Sequence, residues 1–211
     1  MEISINEYLV SVYIWSVYTE CLHGMPSKCP IRVAVPVNLR PYFNSITTKN
    51  FFVMVSAEFH PTKETYTFAE VAAIVKESLR SQINRENLEK LFSYNVSNEK
   101  LLIARVVPLF LKNLAMKYVY TTSALANTAT ITNIGNISVT EEYRPYVEMF
   151  HAFLAMSKGQ HLKGTICSYG DTLVFSFSYD LVDASVQRGF FRKIASDGIA
   201  VEIKSNGVNY E

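Results

Sequence analysis

Several signatures that would settle a function at sight are missing from this chain. Its 211 residues contain no G-x-x-x-x-G-K-[ST] and no G-x-G-x-x-G, so the sequence encodes no recognisable backbone cradle for nucleotide phosphates. Cysteines number three (Cys21, Cys29 and Cys167), with no C-x-x-C pair. An odd count without paired spacing argues against a disulfide scaffold or a structural zinc site, and a reducing cytoplasm is the expected home. Neither sign of charge prevails: 20 Lys and Arg stand against 19 Asp and Glu, a formal charge of +1. Without a basic stripe, nucleic acid is not expected as the main partner. The longest apolar run, Tyr8 to Tyr18, falls short of the roughly 20 residues that cross a bilayer. It follows Glu2 and Glu7 rather than a basic segment, so it reads neither as a membrane span nor as a signal peptide. No repeat, low-complexity tract or Pro/Gly-rich linker divides the chain, and a single domain over residues 1–211 is expected.

What is present is apolar and aromatic. The hydrophobic class makes up 49% of residues, with 13 Tyr and 13 Phe, enough for a packed body and too much for a disordered chain. Ile31, Val33, Val35 and Val37 alternate with Arg32, Ala34, Pro36 and Asn38, the period of a strand with one buried face. Pro36 inside that run predicts an edge strand, or one that ends nearby. Phe51 to His60 reads as the next strand.

Two capping boxes mark helix starts. Ser4-Ile5-Asn6-Glu7 opens a helix to about Leu22, stopped by Gly24 and Pro26, and Thr67-Phe68-Ala69-Glu70 opens one through Ser81. In the second, Phe68, Val71, Ala72, Val75 and Leu79 share a face. The first is apolar on most of its circumference. It is expected to be sandwiched between layers or to have lost a partner, in which case Met1 is not a natural start. Asn84 to Ser97 reads as partly helical, Leu101 to Tyr120 as helical with Pro108 ending or kinking it, and Tyr143 to Met156 as a helix. Strands are expected at Thr128–Thr132 and Asn136–Val139 on either side of a turn at Gly135. A hairpin at Leu162–Ser168 and Thr172–Tyr179, a helix from Asp183 to Ser196 and a closing strand at Ile199–Lys204 complete the chain. Strands alternating with helices, plus a hairpin, define a mixed sheet covered by helices.

Candidate chemistry is sparse. His23, His60, His151 and His161 could serve as general bases. None adjoins a second His or an Asp-Gly, and a lone His at a strand end or on a helix is usually a packed or solvent-tipped side chain. No carboxylate or Cys stands at ligand spacing from them, so no metal site is expected. Asn38, Arg40 and Asn50 gather around the turn between the first two strands. Arg40 can fix that turn by bonding carbonyls, or meet an acyl or phosphate group. Asn38 and Asn50 read as turn-forming first and substrate-facing second. Gly135 supplies a positive φ or a close backbone approach, and Asn133 either caps the turn or donates to a ligand. Ser123, Ser138 and Ser178 have no His-Asp partners nearby in sequence.

The run Val35-Pro36-Val37-Asn38-Leu39-Arg40-Pro41, followed by Lys49-Asn50-Phe51-Phe52, resembles the chloramphenicol-acetyltransferase-like acyltransferases. That family includes alcohol acetyltransferases and the condensation domains of peptide synthetases. Thr132-Asn133-Ile134-Gly135 resembles the S-N-x-G turn of the family's second half-domain. The strand Asp171 to Asp180, with Asp183 and the helix Val186–Ile194 after it, resembles the family's C-terminal segment.

The resemblance covers nearly the whole chain and implies an α/β fold of the α+β type, one half-domain with a mixed sheet covered by helices. Members carry catalysis on His-His-x-x-x-Asp-Gly in the preceding half, and that motif is absent here. The resemblance therefore implies no catalytic residue in this chain. It implies a partner N-terminal half-domain bearing the catalytic His, a small-molecule acceptor, and an acyl-CoA or acyl-carrier thioester as co-substrate, with no permanently bound cofactor. Asn38, Arg40, Asn50, Asn133 and Gly135 would lie along the substrate tunnel or the half-domain junction. Two alternatives stay open. One is a non-catalytic binding module that self-associates through its apolar first helix. The other is a stand-alone transferase with a site between subunits, as in trimeric members of the family, using His60 or His151.

Overall fold

The computed structural model describes residues 2–100, 107–157 and 159–206. In chain order the elements are α1 (Ile5–Ser16, prolonged by a π-helical turn Val17–Cys21), β1 (Ile31–Asn38), α2 (Arg40–Phe43), β2 (Phe52–Phe59), α3 (Phe68–Gln82), α4 (Arg85–Lys100), α5 (Leu109–Leu125), β3 (Ala129–Asn136), β4 (Leu162–Tyr169), β5 (Thr172–Tyr179) and α6 (Ser185–Ser196). The strands form one five-stranded sheet in the order β2-β1-β3-β4-β5. β1, β3 and β4 run parallel, while β2 and β5 are antiparallel to their neighbours. This is the mixed, helix-covered sheet that the alternation of elements predicts.

Both capping boxes form. Ser4 Oγ accepts from Glu7 N at 3.2 Å while Ser4 N donates to the Glu7 carboxylate at 2.8 Å. Thr67 and Glu70 repeat the arrangement at α3. α1 lies between α3 and α6 on one face of the sheet. Leu9, Val10, Val12, Tyr13 and Ile14 are all buried there. Even the α1 polar residues Ser11 and Ser16 are sealed in, donating back to the carbonyls of Glu7 and Val12. The first helix is therefore sandwiched, and its apolar circumference is consumed within the chain. That removes it as a homo-oligomer surface.

On the same face, β1 and β2 contribute Ile31, Val33, Val35, Val53, Val55, Ala57 and Phe59, all buried. β5 and α6 close that side with Phe175, Phe177, Phe190 and Phe191. The Phe175–Phe190 ring centroids lie 4.4 Å apart and the Phe177–Phe190 pair meets edge to face. Gly164 of β4 is obligatory at this contact, because a Cβ would sit 2.7 Å from the Phe175 ring.

Four expectations need correction, the first of them in part. β1 does end near Pro36, at Asn38, but it is not an edge strand, because β3 pairs with it at Val33–Ala129 and Ala34–Thr130. Thr128 N donates to Arg32 O and Arg32 N to Thr128 Oγ1, so the even residues of β1 turn their amides toward β3. Pro36, which has no amide, falls just past the last β3 pairing, where none is needed. Asn136–Val139 is not a separate strand: β3 continues to Asn136 through a bulge between Asn133 and Gly135. The segment Tyr143–Met156 is not helical beyond one 3₁₀ turn at Arg144–Tyr146. It runs irregularly across the second face of the sheet, with burial alternating residue by residue from Phe150 to Met156. Lys163 Nζ donates to Ala155 O (2.8 Å) and Ser157 Oγ (2.6 Å), and Cys167 Sγ to Phe150 O (3.2 Å). These bonds hold the segment over β4. Ile199–Lys204 is likewise unpaired. Of the helix expected at Leu101–Tyr120, residues 101–106 lie outside the described residues. α5 begins immediately after Pro108, whose carbonyl accepts from Leu111 and Lys112.

Candidate functional site

Because β1, β3 and β4 are parallel, their C-terminal ends share one edge of the sheet. β1 leads on to β2 on one side, and β3 leads on to β4 on the other. The boundary between β1 and β3 is thus a switch point of the topology, the place where open α/β sheets accept ligands beyond their strand ends. Pairing between β1 and β3 stops at Ala34 and Thr130, four residues short of Asn38. The five candidate residues flank the resulting opening, with Asn38, Arg40 and Asn50 on the β1/β2 side and Asn133 and Gly135 on the β3 side.

Arg40 is a loop builder. Its Nε donates to Thr47 O (2.9 Å), Nη2 to Lys49 O (2.7 Å) and Nη1 to Asn38 Oδ1 (3.2 Å). Asn38 Oδ1 also accepts the Arg40 amide at 3.1 Å. The guanidinium fork thereby ties the end of β1 to the loop that returns to β2, a task for a planar multi-donor group. Asn50 is exposed at the end of that loop, where Leu39 N donates to Phe51 O. Asn133 Oδ1 accepts the Gly135 amide at 2.8 Å, an Asx-type closure of the bulge. Gly135 has φ 85°, the left-handed region that a side chain resists. Asn133 is exposed and so free to present its amide group outward.

His60 and His161 lie at the opposite edge of the sheet. β2 runs opposite to β1, so His60, just after β2, lies at the far edge of the sheet. His151 is exposed on the segment crossing the second face, stacked on Phe153 at 6.5 Å, not on a helix facing apolar residues. His161 is the one histidine among the described residues with a carboxylate partner, Nδ1 to Asp180 Oδ1 at 2.9 Å. Sequence inspection missed this pair although it was within reach. A hairpin that pairs Leu162 with Tyr179 and Tyr169 with Thr172 brings the preceding and following residues, 161 and 180, together by register alone. It too is at the far edge, because β4 starts there.

Electrostatic work is done mostly by structural pairs. Glu7 is held below the usual carboxylate range by its bond from Arg80, against the effect of burial. Burial pushes the Tyr8 hydroxyl well above its ordinary value, and Asp197, its acceptor at 2.7 Å, adds to this. For Asp197 burial opposes ionisation, yet Lys193 and Tyr8 keep it low. Cys167 is buried in the sheet, and that burial raises its thiol. Among the described residues no group of three or more His, Cys, Asp and Glu side chains converges as metal ligands. Nor is any helix among them long and apolar enough to cross a membrane. Two shallow hollows lie elsewhere, one of about 480 Å³ along α3 (Ala73, Lys76, Glu77, Arg80, Ser81) and one of about 240 Å³ between Ile3, Tyr8 and Ile199. Neither is lined by a residue of the candidate edge.

No protein-family model matches the sequence, and no curated protein sequence matches it. Solved structures do resemble the fold. The epimerization domain from the third module of tyrocidine synthetase B superimposes with a TM-score of 0.51 at 10% identity, over 92% of this chain and 41% of that one. A structure of the condensation domain that mediates chain release from the enacyloxin polyketide synthase gives 0.43 at 11% identity, over 97% of this chain and 39% of its own. That second value is too low to weigh. The first shows that this chain shares the fold of part of that epimerization domain. The chain spans about two-fifths of the length of the solved structures it resembles.

Proposed function

We propose that this chain is the C-terminal half of an acyl-CoA- or acyl-carrier-dependent O- or N-acyltransferase, closest to the alcohol-acetyltransferase and condensation-domain branch. It forms the tunnel wall opposite a catalytic His carried by a separate N-terminal half-domain. The observation that carries the reading is the alignment of almost the whole chain with only two-fifths of an epimerization domain, in a sequence without His-His-x-x-x-Asp-Gly. In such a division the absent half supplies the base for proton transfer from the acceptor. This half supplies position and excludes water. Asn38 and Asn133, on either side of the β1/β3 opening, are the side chains best placed to touch the acyl thioester or the acceptor. Arg40 and Gly135 set their positions. The co-substrate is the thioester, and the cellular setting is the cytoplasm.

The test is made on the chain alone, with acetyl-CoA as donor and a simple alcohol as acceptor. The expected result is no thiol release above background. Weak donor binding should be visible as NMR shifts of the amides at Asn38, Arg40, Asn50, Asn133 and Gly135. Turnover would overturn the reading and return the base to His60, His151 or His161, to be separated by single alanine variants. Donor shifts confined to the far edge of the sheet would also overturn it.

A further inference from the structure

A feature outside that edge also needs a partner. α5 carries Leu109, Phe110, Leu111, Leu114, Met116, Tyr118, Val119, Tyr120 and Leu125, and every one of them is exposed, from 45% for Leu111 to 72% for Leu109 and Tyr118. At about 100° per residue, Leu111, Leu114, Tyr118 and Leu125 fall on one side of the helix. Leu109, Met116 and Tyr120 fall on the opposite side, with Lys112 and Lys117 at the two seams. A helix that is apolar on opposite sides belongs inside a larger body. Yet among the described residues α5 meets its own chain mainly at its C-terminal end, where Leu125 approaches Gly159 and Asn127 Oδ1 accepts from Ser56 Oγ at 3.0 Å.

The chain as a whole also exposes more surface than a compact monomer of its mass. The accessible surface is 14206 Å² for 23.9 kDa, whereas a compact monomer of that mass exposes about 9,900 Å², leaving an excess of about 4,300 Å². Obligate homodimers bury about 2,000–5,000 Å² in total, half from each copy, so the excess on one copy is ample for such an interface.

We propose that in the isolated chain α5 is the dimerisation element, and that its occupant is a second copy of this chain in an isologous pair. Each α5 lies against the other copy with both stripes covered. The two lysines sit at the seams and keep their ammonium groups in water on their apolar stems. A lipid surface is the poorer occupant, because a helix lying at a bilayer needs one strongly polar face and α5 has none. The inference concerns this chain by itself and is independent of the acyltransferase reading, which is tested by donor binding and not by mass.

Sedimentation velocity of the purified chain across the micromolar range tests it, with two double variants, Leu114→Glu with Tyr118→Glu and Met116→Glu with Tyr120→Glu. All four positions are exposed, so the fold is retained, which circular dichroism checks. The expected result is a dimer whose dissociation constant rises at least about 100-fold in either double variant, since each buries charge in an apolar contact. Tyr146→Glu, at an equally exposed aromatic elsewhere (85%), leaves the dimer intact. A monomer at all concentrations overturns the proposal, as does a dimer that survives both α5 variants. Co-sedimentation of a monomer with phosphatidylserine vesicles, lost in the α5 variants, would assign the helix to a membrane and overturn it too.

Discussion

On one side of the sheet, α1, α3 and α6 enclose Val10, Val12, Ile14, Val33, Ala57, Phe59, Val71, Val75 and Phe190, each at 0% exposure. On the other, a loop segment is clamped over β4 by Lys163 and Cys167. α5, as apolar as α1, stands in solvent. The two helices have similar compositions and opposite fates, so hydrophobicity alone does not decide burial. What separates them is whether neighbouring elements in this chain supply matching faces. For α1 they do, through the amphipathic α3 and α6. For α5 the matching face belongs to another body.

The comparison can be broken most easily at its well-packed end. Phe190→Ala removes a fully buried ring in contact with Phe175, Phe177 and Phe191, and is expected to cost about 3–5 kcal/mol in urea unfolding. Phe110→Ala on α5, measured where the chain is monomeric, is expected to stay within about 0.5 kcal/mol. Equal losses at the two sites would show that α5 packs against its own chain after all.

Next in size, Gly164→Ala forces a Cβ against Phe175 and Ile131, and overpacking of this kind costs about 1–3 kcal/mol. Gly135→Ala meets open space but keeps a positive φ, with an expected loss of about 1 kcal/mol. Thermal melts of the pair separate crowding from backbone strain, and the order would reverse only if the bulge carried more strain than the core contact.

Glu7→Gln tests the α1/α3 junction. The folded carboxylate titrates below its ordinary value because Arg80 holds it. Its contribution is therefore complete above the unfolded pKa of about 4.3 and is lost as pH falls through the folded value. Arg80 is half exposed, so the expected loss at neutral pH is modest, about 1 kcal/mol. The gap between the two proteins should close in acid, and a gap that persists there would assign the loss to packing.

The smallest effect is expected from Arg40→Lys, about 1 kcal/mol or less. Its signature should be faster hydrogen exchange at Thr47 and Lys49, because an ammonium cannot bridge both carbonyls and Asn38. Unchanged exchange with lost donor binding would make Arg40 a ligand contact instead.

The parts of this structure legible in the sequence are those specified locally. Alternation fixed β1 and the hairpin, and the Ser4 and Thr67 boxes fixed the starts of α1 and α3. Failure came where two periods compete. Val147, Phe150 and Leu154 fit a helical stripe, while Phe150, Ala152, Leu154 and Met156 fit alternation, and contact with Lys163 and Cys167 settled the matter in favour of an extended path. A positive φ at Gly135 serves a turn and a bulge alike, so the residue type does not separate them. Of the candidate edge, the residue types and their gathering at strand ends were legible. The bonds from Arg40 to Thr47 and Lys49 were not, since no periodicity governs a loop.

The outer edge of β2 has a consequence for how the sheet can be extended. Ser56 N and O and Glu58 N, which point away from β1, bond to side chains of α3: Ser56 N to Gln82 Oε1, Gln82 Nε2 to Ser56 O, Glu58 N to Ser78 Oγ and Ser78 Oγ to Ser56 O. Amide and hydroxyl groups from a helix thus take the place a sixth strand would occupy. A strand arriving from another polypeptide would have to displace α3 to pair at β2. Along Ser56–Glu58 this edge of the sheet is closed to a further strand, which leaves β5 as the other edge of the order.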